Sequence, residues 1–146
     1  MTGSKVFIDT NILVYAWDGS EPQKQKKALS ILEQLVARGA GVISTQILAE
    51  FFVNVTSPRK FSKPMSIIEA HEYIEDYLQV CEVVSVTPAI VLEAARGVRD
   101  HQFSFWDAQV WATAKLNQTT VVYSEDFNVG AQIEGVRFIN PLVENS

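Results

Sequence analysis

Four acidic side chains, Asp9, Glu50, Asp107 and Asp126, stand in segments where an acid needs a reason. Lys5-Val6-Phe7-Ile8 reads as a short buried strand that ends at Asp9, and Thr119 to Tyr123 as another that ends just before Ser124-Glu125-Asp126. In open parallel sheets, sites form at the carboxyl ends of strands. Glu50 lies about one and a half turns into a helix beginning at Thr45, among the apolar residues Ile47, Leu48, Phe51, Phe52 and Val53. Asp107 falls in the first turn of a helix starting at Ser104, where the helix dipole favours an ionised carboxylate. Hard divalent cations take oxygen ligands, and Mg²⁺ typically uses a few carboxylates while keeping waters. Such an ion makes a nucleophile of its bound water and offsets charge on a phosphodiester under hydrolysis. Without one, four neighbouring carboxylates repel each other and some pKa values rise.

Each acid also has an ordinary structural alternative. Asp9 can N-cap the helix that follows it, and Asp126 can make an Asx turn. Ser104 and Asp107 fit a capping box with Asp in place of Glu, and Glu50 can point to solvent. What favours a cluster is a shared address, since two acids sit at strand ends and two on helices that flank the same edge.

The elements that must position these acids follow from patterning. After Asp9 a compact helix runs from Asn11 to Trp17, then a polar turn, then a helix from Gln23 to Arg38 with Ala28, Leu29, Ile31, Leu32, Leu35 and Val36 at helical spacing. Val42-Ile43-Ser44 is a strand, followed by the Thr45–Asn54 helix and a basic loop holding Arg59, Lys60 and Lys63. Ser66 with Glu69 makes a capping box for a helix from Ile67 to about Gln79. Cys81 to Val86 reads as a buried strand, Thr87-Pro88 opens a helix to about Arg99, and Gly135 to Ile139 is the last strand. Short apolar strands alternating with helices predict an α/β fold, three-layered, with a parallel sheet covered on both faces.

Composition bounds the rest. The 146 residues suit one domain, 1–146, and 47% hydrophobic with 20% charged residues fits a globular protein with a full core. No apolar run is long enough to span a membrane or to serve as a secretory signal. The single cysteine, Cys81, forbids an internal disulfide and suggests a reducing, cytoplasmic setting. A net charge of −5 and a pI near 5.0 weigh against nucleic acid as a partner. Two divalent cations in the acidic site would bring that charge from −5 to about −1 and invert the local field.

Taken together the motifs resemble those of the PIN-domain nucleases, in particular the bacterial branch that includes VapC-type toxins. Phe7-Ile8-Asp9-Thr10-Asn11-Ile12-Leu13 is similar to the opening motif, and Thr45-Gln46-Ile47-Leu48-Ala49-Glu50-Phe51 to the second acidic motif. Ser104-Phe105-Trp106-Asp107-Ala108 resembles the third, Tyr123-Ser124-Glu125-Asp126-Phe127-Asn128 the fourth, and Gly135 to Pro141 the ending. The likeness spans residues 6 to 141. It implies a PIN-like fold with a central five-stranded parallel sheet between helical layers. It also implies a Mg²⁺- or Mn²⁺-dependent endoribonuclease in which Asp9, Glu50, Asp107 and Asp126 are the catalytic, metal-holding acids. Asn11 matches a polar position that orders the first aspartate and substrate, and Ser124 a hydroxyl that supports the fourth acid. Asn128 stands where some relatives carry a further aspartate, which leaves one or two metal ions open. Asp9, Asp107 and Asp126 rank as direct ligands, with Glu50 acting through a water. The resemblance further implies a small antitoxin protein as partner, an RNA substrate and a homodimer. Alternatives are a PIN-like nuclease of RNA processing and a catalytically inactive PIN-like binding module.

Other residues carry less. A phosphatase or phosphoacceptor site would need a second aspartate after the first strand and a later lysine, and Asp9-Thr10-Asn11 lacks the former. His71 and His101 have no partners at zinc-ligand spacing, and no nucleophile elbow or phosphate-binding glycine loop is present. Trp17, Trp106 and Trp111 read as packing residues, Trp106 turning away from Asp107 into the core. Lys24, Lys26 and Lys27, with Arg59, Lys60 and Lys63, are the candidate phosphate contacts or else solvated charge.

Overall fold

A computed structural model describes residues 4–143, so the outermost residues of the expected 1–146 domain lie outside it. The chain runs β1 (Val6–Ile8), α1 (Thr10–Trp17), α2 (Pro22–Ala37), β2 (Gly41–Ser44), α3 (Thr45–Val55), α4 (Ile67–Val80) and β3 (Glu82–Val84). Then come α5 (Pro88–His101), α6 (Phe105–Leu116), β4 (Val121–Tyr123), β5 (Gln132–Ile133) and β6 (Val136–Ile139). Among the described residues no helix is long and apolar enough to cross a membrane.

The sheet has the order β3-β2-β1-β4-β6-β5. Five strands, β3, β2, β1, β4 and β6, pair in parallel, as the five-stranded expectation has it. The sixth, β5, is an addition that pairs antiparallel with β6. Ile133 faces Val136 across a two-residue turn whose Glu134 and Gly135 both have positive φ, 49° and 87°. Two positive φ values are what a type I′ hairpin requires. The usual Asn-Gly or Asp-Gly signal is replaced by Glu-Gly, so the hairpin is inconspicuous in sequence.

β1 and β2 are fully buried and line the core with Phe7, Ile8, Val42 and Ile43. β3 departs from the expected buried strand, because it is the sheet edge and Glu82 is exposed, paired to Lys5. Cys81 precedes it as the C-cap of α4, half-buried, and burial pushes its thiol up to about 11.

On one side of the sheet α5 packs tightly against α6. Gly97 makes that approach possible: a Cβ there would lie 2.8 Å from Cζ3 of the fully buried Trp111. Around the indole edge Arg96 and Lys115 bind Glu93 and Glu134, and His101 meets Glu134 at 2.6 Å. Arg96 and Lys115 hold Glu93 down to about 2, and hydrogen bonds from Arg96, His101 and Lys115 hold Glu134 well below the usual carboxylate range. His101 thus serves as a helix-end residue tying α5 to the β5–β6 turn.

The topology fixes where a site can lie. From β1 the chain moves outward through β2 to β3, then returns to place β4 on the other side of β1. The reversal point lies between β1 and β4, and the crevice beyond their carboxyl ends is the favoured binding position in such sheets.

Candidate active site

Asp9 and Ser124 follow β1 and β4, the two strands that flank this crevice. The backbone ladder continues one step past each, Asp9 N–H donating to Tyr123 O at 2.9 Å and Ser124 N–H to Ile139 O at 2.9 Å. Asp9 is also the N-cap of α1, so the capping alternative and the cluster hold together. One carboxylate oxygen accepts from Thr10 N–H at 2.8 Å and the other from Ser124 Oγ at 2.8 Å. Ser124 Oγ in turn accepts from Phe127 N–H at 3.3 Å, shaping the turn that leads through Asp126. The Ser124 hydroxyl therefore supports the first acid, Asp9, and not the fourth as the resemblance implies. Proximity explains this, since β1 and β4 are paired neighbours and Asp126 lies farther out, exposed on the loop.

Burial pushes the Asp9 carboxyl up to about 6, against the downward pull of Ser124 and the Thr10 N–H, and the charges of Glu50 and Asp107 add to the rise. Asp107 is raised too, by burial first and then by Glu50 and Asp126, while the Ser104 hydroxyl acts the other way. Glu50 and Asp107 thus act on Asp9, and Glu50 and Asp126 on Asp107. Ser104 caps α6 by accepting from the Asp107 N–H at 3.2 Å. Because α6 leads into β4, its first turn lies at the carboxyl edge of the sheet, and that brings Asp107 to Asp9.

Glu50 does not point freely to solvent. Thr10 Oγ1 donates to Glu50 Oε1 at 2.6 Å and Gln46 Nε2 to Glu50 Oε2 at 3.1 Å. The Gln46 amide also donates to Trp106 O at 3.2 Å and accepts from Gln109 Nε2 at 2.9 Å. A chain of amides from α6 through α3 thus holds Glu50 in one orientation. Sequence reasoning missed Thr10, Gln46 and Gln109. The available signal was Gln46 and Glu50 at i and i+4, one helix face, in a segment otherwise apolar.

A second missed group stands beside Asp126. Tyr15 Oη donates to Glu125 at 2.6 Å and Lys24 Nζ to its other oxygen at 2.6 Å, which fastens the Asp126 loop to α1 and α2. Although burial acts upward, Lys24 and Tyr15 hold Glu125 below the ordinary carboxylate range. Lys24 is thereby an internal partner rather than an open phosphate contact.

Asn11 lines a cleft of about 400 Å³ together with Asp9, Thr10, Tyr15 and Lys60. Its buried Oδ1 has no hydrogen-bond partner among the described residues. A buried oxygen without a donor, lining the same cleft as the Asp9 carboxyl, suits a hard cation or its waters. Among the described residues no three His, Cys, Asp or Glu side chains are placed close enough together to hold a metal ion between them. Asn128 is exposed on the loop, with φ 45°.

The tryptophans divide. Trp111 is core and Trp17 packs edge-on against Phe61, with ring centroids 5.1 Å apart. Trp106 contradicts its reading as a core residue, for it is 61% exposed. The rest of α6, from Ala108 to Ala114, is buried on every side, so helical spacing gives no hint of which way its first turn faces.

Comparison with known proteins agrees with this architecture. No curated protein matches the chain by sequence. A sarcin–ricin-loop-cleaving VapC toxin of Mycobacterium tuberculosis is 18% identical with a TM-score of 0.64, over 85% of this chain and 92% of that one. A toxin–antitoxin complex from Klebsiella pneumoniae is 20% identical with a TM-score of 0.68, over 94% and 98% of the two chains. A VapBC pair from Rickettsia felis, bound to a DNA fragment from its promoter, is 16% identical with a TM-score of 0.66, over 91% and 96%. These likenesses establish the shared fold. The family model described as PIN domain matches residues 6–131, nearly the whole chain, and the protein belongs to the PIN-domain family of nucleases.

Proposed function

We propose that this protein is a single-domain, Mg²⁺- or Mn²⁺-dependent endoribonuclease with Asp9, Glu50, Asp107 and Asp126 as its acidic centre. The observation that carries the reading is Asp9, a carboxyl at the topological switch point, pushed up to about 6 by burial and by the neighbouring acids Glu50 and Asp107. An apo protein gains nothing in stability from such a cluster, and a bound cation relieves it. The residues that would hold the ion are Asp9, Asp107 and Asp126. When bound it lowers the pKa of a coordinated water and offsets charge on the phosphodiester.

The chain's own residues supply the order. Ser124 and the Thr10 N–H fix both oxygens of Asp9. Thr10 Oγ1 and Gln46 fix both oxygens of Glu50, which suits an acid acting through a water. Asn11 offers its oxygen at the same cleft, and Lys60 brings positive charge to the rim for a backbone phosphate.

The neighbours, a sarcin–ricin-loop-cleaving toxin and a toxin–antitoxin complex, support the role of a toxin restrained by a small antitoxin protein. A cytoplasmic homodimer completes the proposal. The test is cleavage of RNA in Mn²⁺ by purified wild type, Asp9→Asn and Asp107→Asn proteins. Loss of cleavage in both variants with unchanged circular dichroism is expected. Undiminished cleavage by both, free of contaminating ribonuclease, overturns the mechanism.

A further inference from the structure

Beside the acids lies a second groove, of about 690 Å³, that the acidic centre does not account for. Gln46, Ala49, Glu50, Val53, Lys60 and Trp106 line it. Its floor is apolar and open: Trp106 is 61% and Val53 66% exposed. Ala49 and Val53 are four residues apart on α3 and share one face, with Glu50 beside them. Across from them stands the Trp106 indole, one residue before Asp107. Phe105 meets that indole edge-on, with centroids 5.3 Å apart, so neighbouring aromatic packing restricts its orientation.

The groove and the cleft of Asp9 and Asn11 share Lys60 and Asn54. Lys60 Nζ donates to Asn54 Oδ1, a neutral partner, so the ammonium brings net positive charge to the junction of the two. Glu50 belongs to the acidic centre and also lines this groove. A chain bound here therefore meets an aromatic plate, a cation and one acid of the centre in a single groove. Aromatic plates joined to basic residues are the usual means of holding single-stranded nucleic acid.

We infer that the Trp106 groove is a nucleobase subsite, in which one unpaired base of a single-stranded RNA stacks on the indole while its phosphate meets Lys60. The inference rests on the nuclease reading for the identity of the strand. Selection here is for an unpaired base rather than for one base identity. Gln46 has no donor left to read base identity, since both its N–H groups are engaged, by Glu50 and by the Trp106 carbonyl. A duplex, whose bases are already stacked on each other, has none to offer.

The test uses wild type, Trp106→Ala and Trp106→Phe proteins with a short unstructured oligoribonucleotide and the same sequence as a duplex. Binding is read by fluorescence anisotropy in EDTA and cleavage by steady-state kinetics in Mn²⁺. The expected result is a rise in Kd and KM of about 5- to 100-fold for the single strand in Trp106→Ala, the range that stacking on one aromatic supports. Trp106→Phe keeps most of the affinity, and duplex binding is the same in all three. Single-strand binding that depends on Trp106 in a protein that cleaves no RNA supports the groove and removes only the nuclease reading. Wild-type Kd and KM in Trp106→Ala, in a protein that does cleave, overturn the subsite and leave the nuclease reading standing. A Trp106→Ala protein that changes from dimer to monomer by light scattering, with RNA parameters unaltered, also overturns it by making the groove a seat for a second copy.

Discussion

Replacing Asp9 by asparagine should remove cleavage and yet stabilise the metal-free protein at neutral pH. In the folded chain the carboxyl rises from 3.8 to about 6. At about 1.4 kcal/mol per pH unit, its ionised form is disfavoured by up to about 3 kcal/mol, an upper bound because the group keeps some opening to solvent. The sign follows from linkage. Below 3.8 the carboxyl is protonated both folded and unfolded, so it costs nothing. Between 3.8 and about 6 the unfolded chain releases the proton first, and stability falls as pH rises. Above that window both states are ionised and the whole penalty is present. Asparagine carries no charge at any pH, but its single oxygen can satisfy only one of the Thr10 N–H and the Ser124 hydroxyl well, a loss of about 1 kcal/mol. The variant is therefore slightly less stable than wild type at pH 4 and about 1–2 kcal/mol more stable at pH 8, or roughly 2–8 °C in Tm. Thermal unfolding of both proteins in EDTA across that range measures it. A difference that stays flat with pH, or a variant less stable than wild type at pH 8, refutes the reasoning about Asp9. Added Mn²⁺ should raise the Tm of wild type and leave the variant unchanged.

Gly97→Ala should lower the urea midpoint. The new methyl would sit 2.8 Å from Trp111 Cζ3 and 3.2 Å from Phe103 Cδ2, both in packed surroundings. Overpacking of about 1–3 kcal/mol then exceeds the gain of about 1 kcal/mol that alanine brings to a helix, and an unchanged midpoint would show that α5 can shift. Gln46→Leu keeps the size of the side chain but frees Glu50 Oε2 and leaves the Gln109 amide without its acceptor. Activity should fall about 10- to 100-fold, as for other partners that orient a metal-site acid. The loss should lie in kcat with KM little changed, and a loss confined to KM would mean that Gln46 acts on substrate binding instead.

Much of this molecule is legible along the chain because the relevant physics is local. Short apolar strands announce a buried parallel sheet, and the residue that ends each one is placed at its edge, so Asp9 and the Ser124–Asp126 turn can be read directly. Ser44, Ser66, Thr87 and Ser104 each cap the helix that follows, a bond made within three residues. The family motifs add Glu50 and Asp107 by their order and spacing.

What required tertiary structure is every contact that depends on which elements become neighbours. Ser124 serves Asp9 across 115 residues because β1 and β4 pair. Gln46 holds Glu50 in place only because α6 presents Gln109 and the Trp106 carbonyl to α3. The direction of Trp106 is the plainest case. A helix buried on all sides has no polar face to orient it, so the packing of α6 against the sheet decides that its first turn opens toward solvent. The four acids were nameable from one dimension, but the hydrogen bonds that aim them, and the aromatic plate beside them, exist only once the sheet has brought distant segments together.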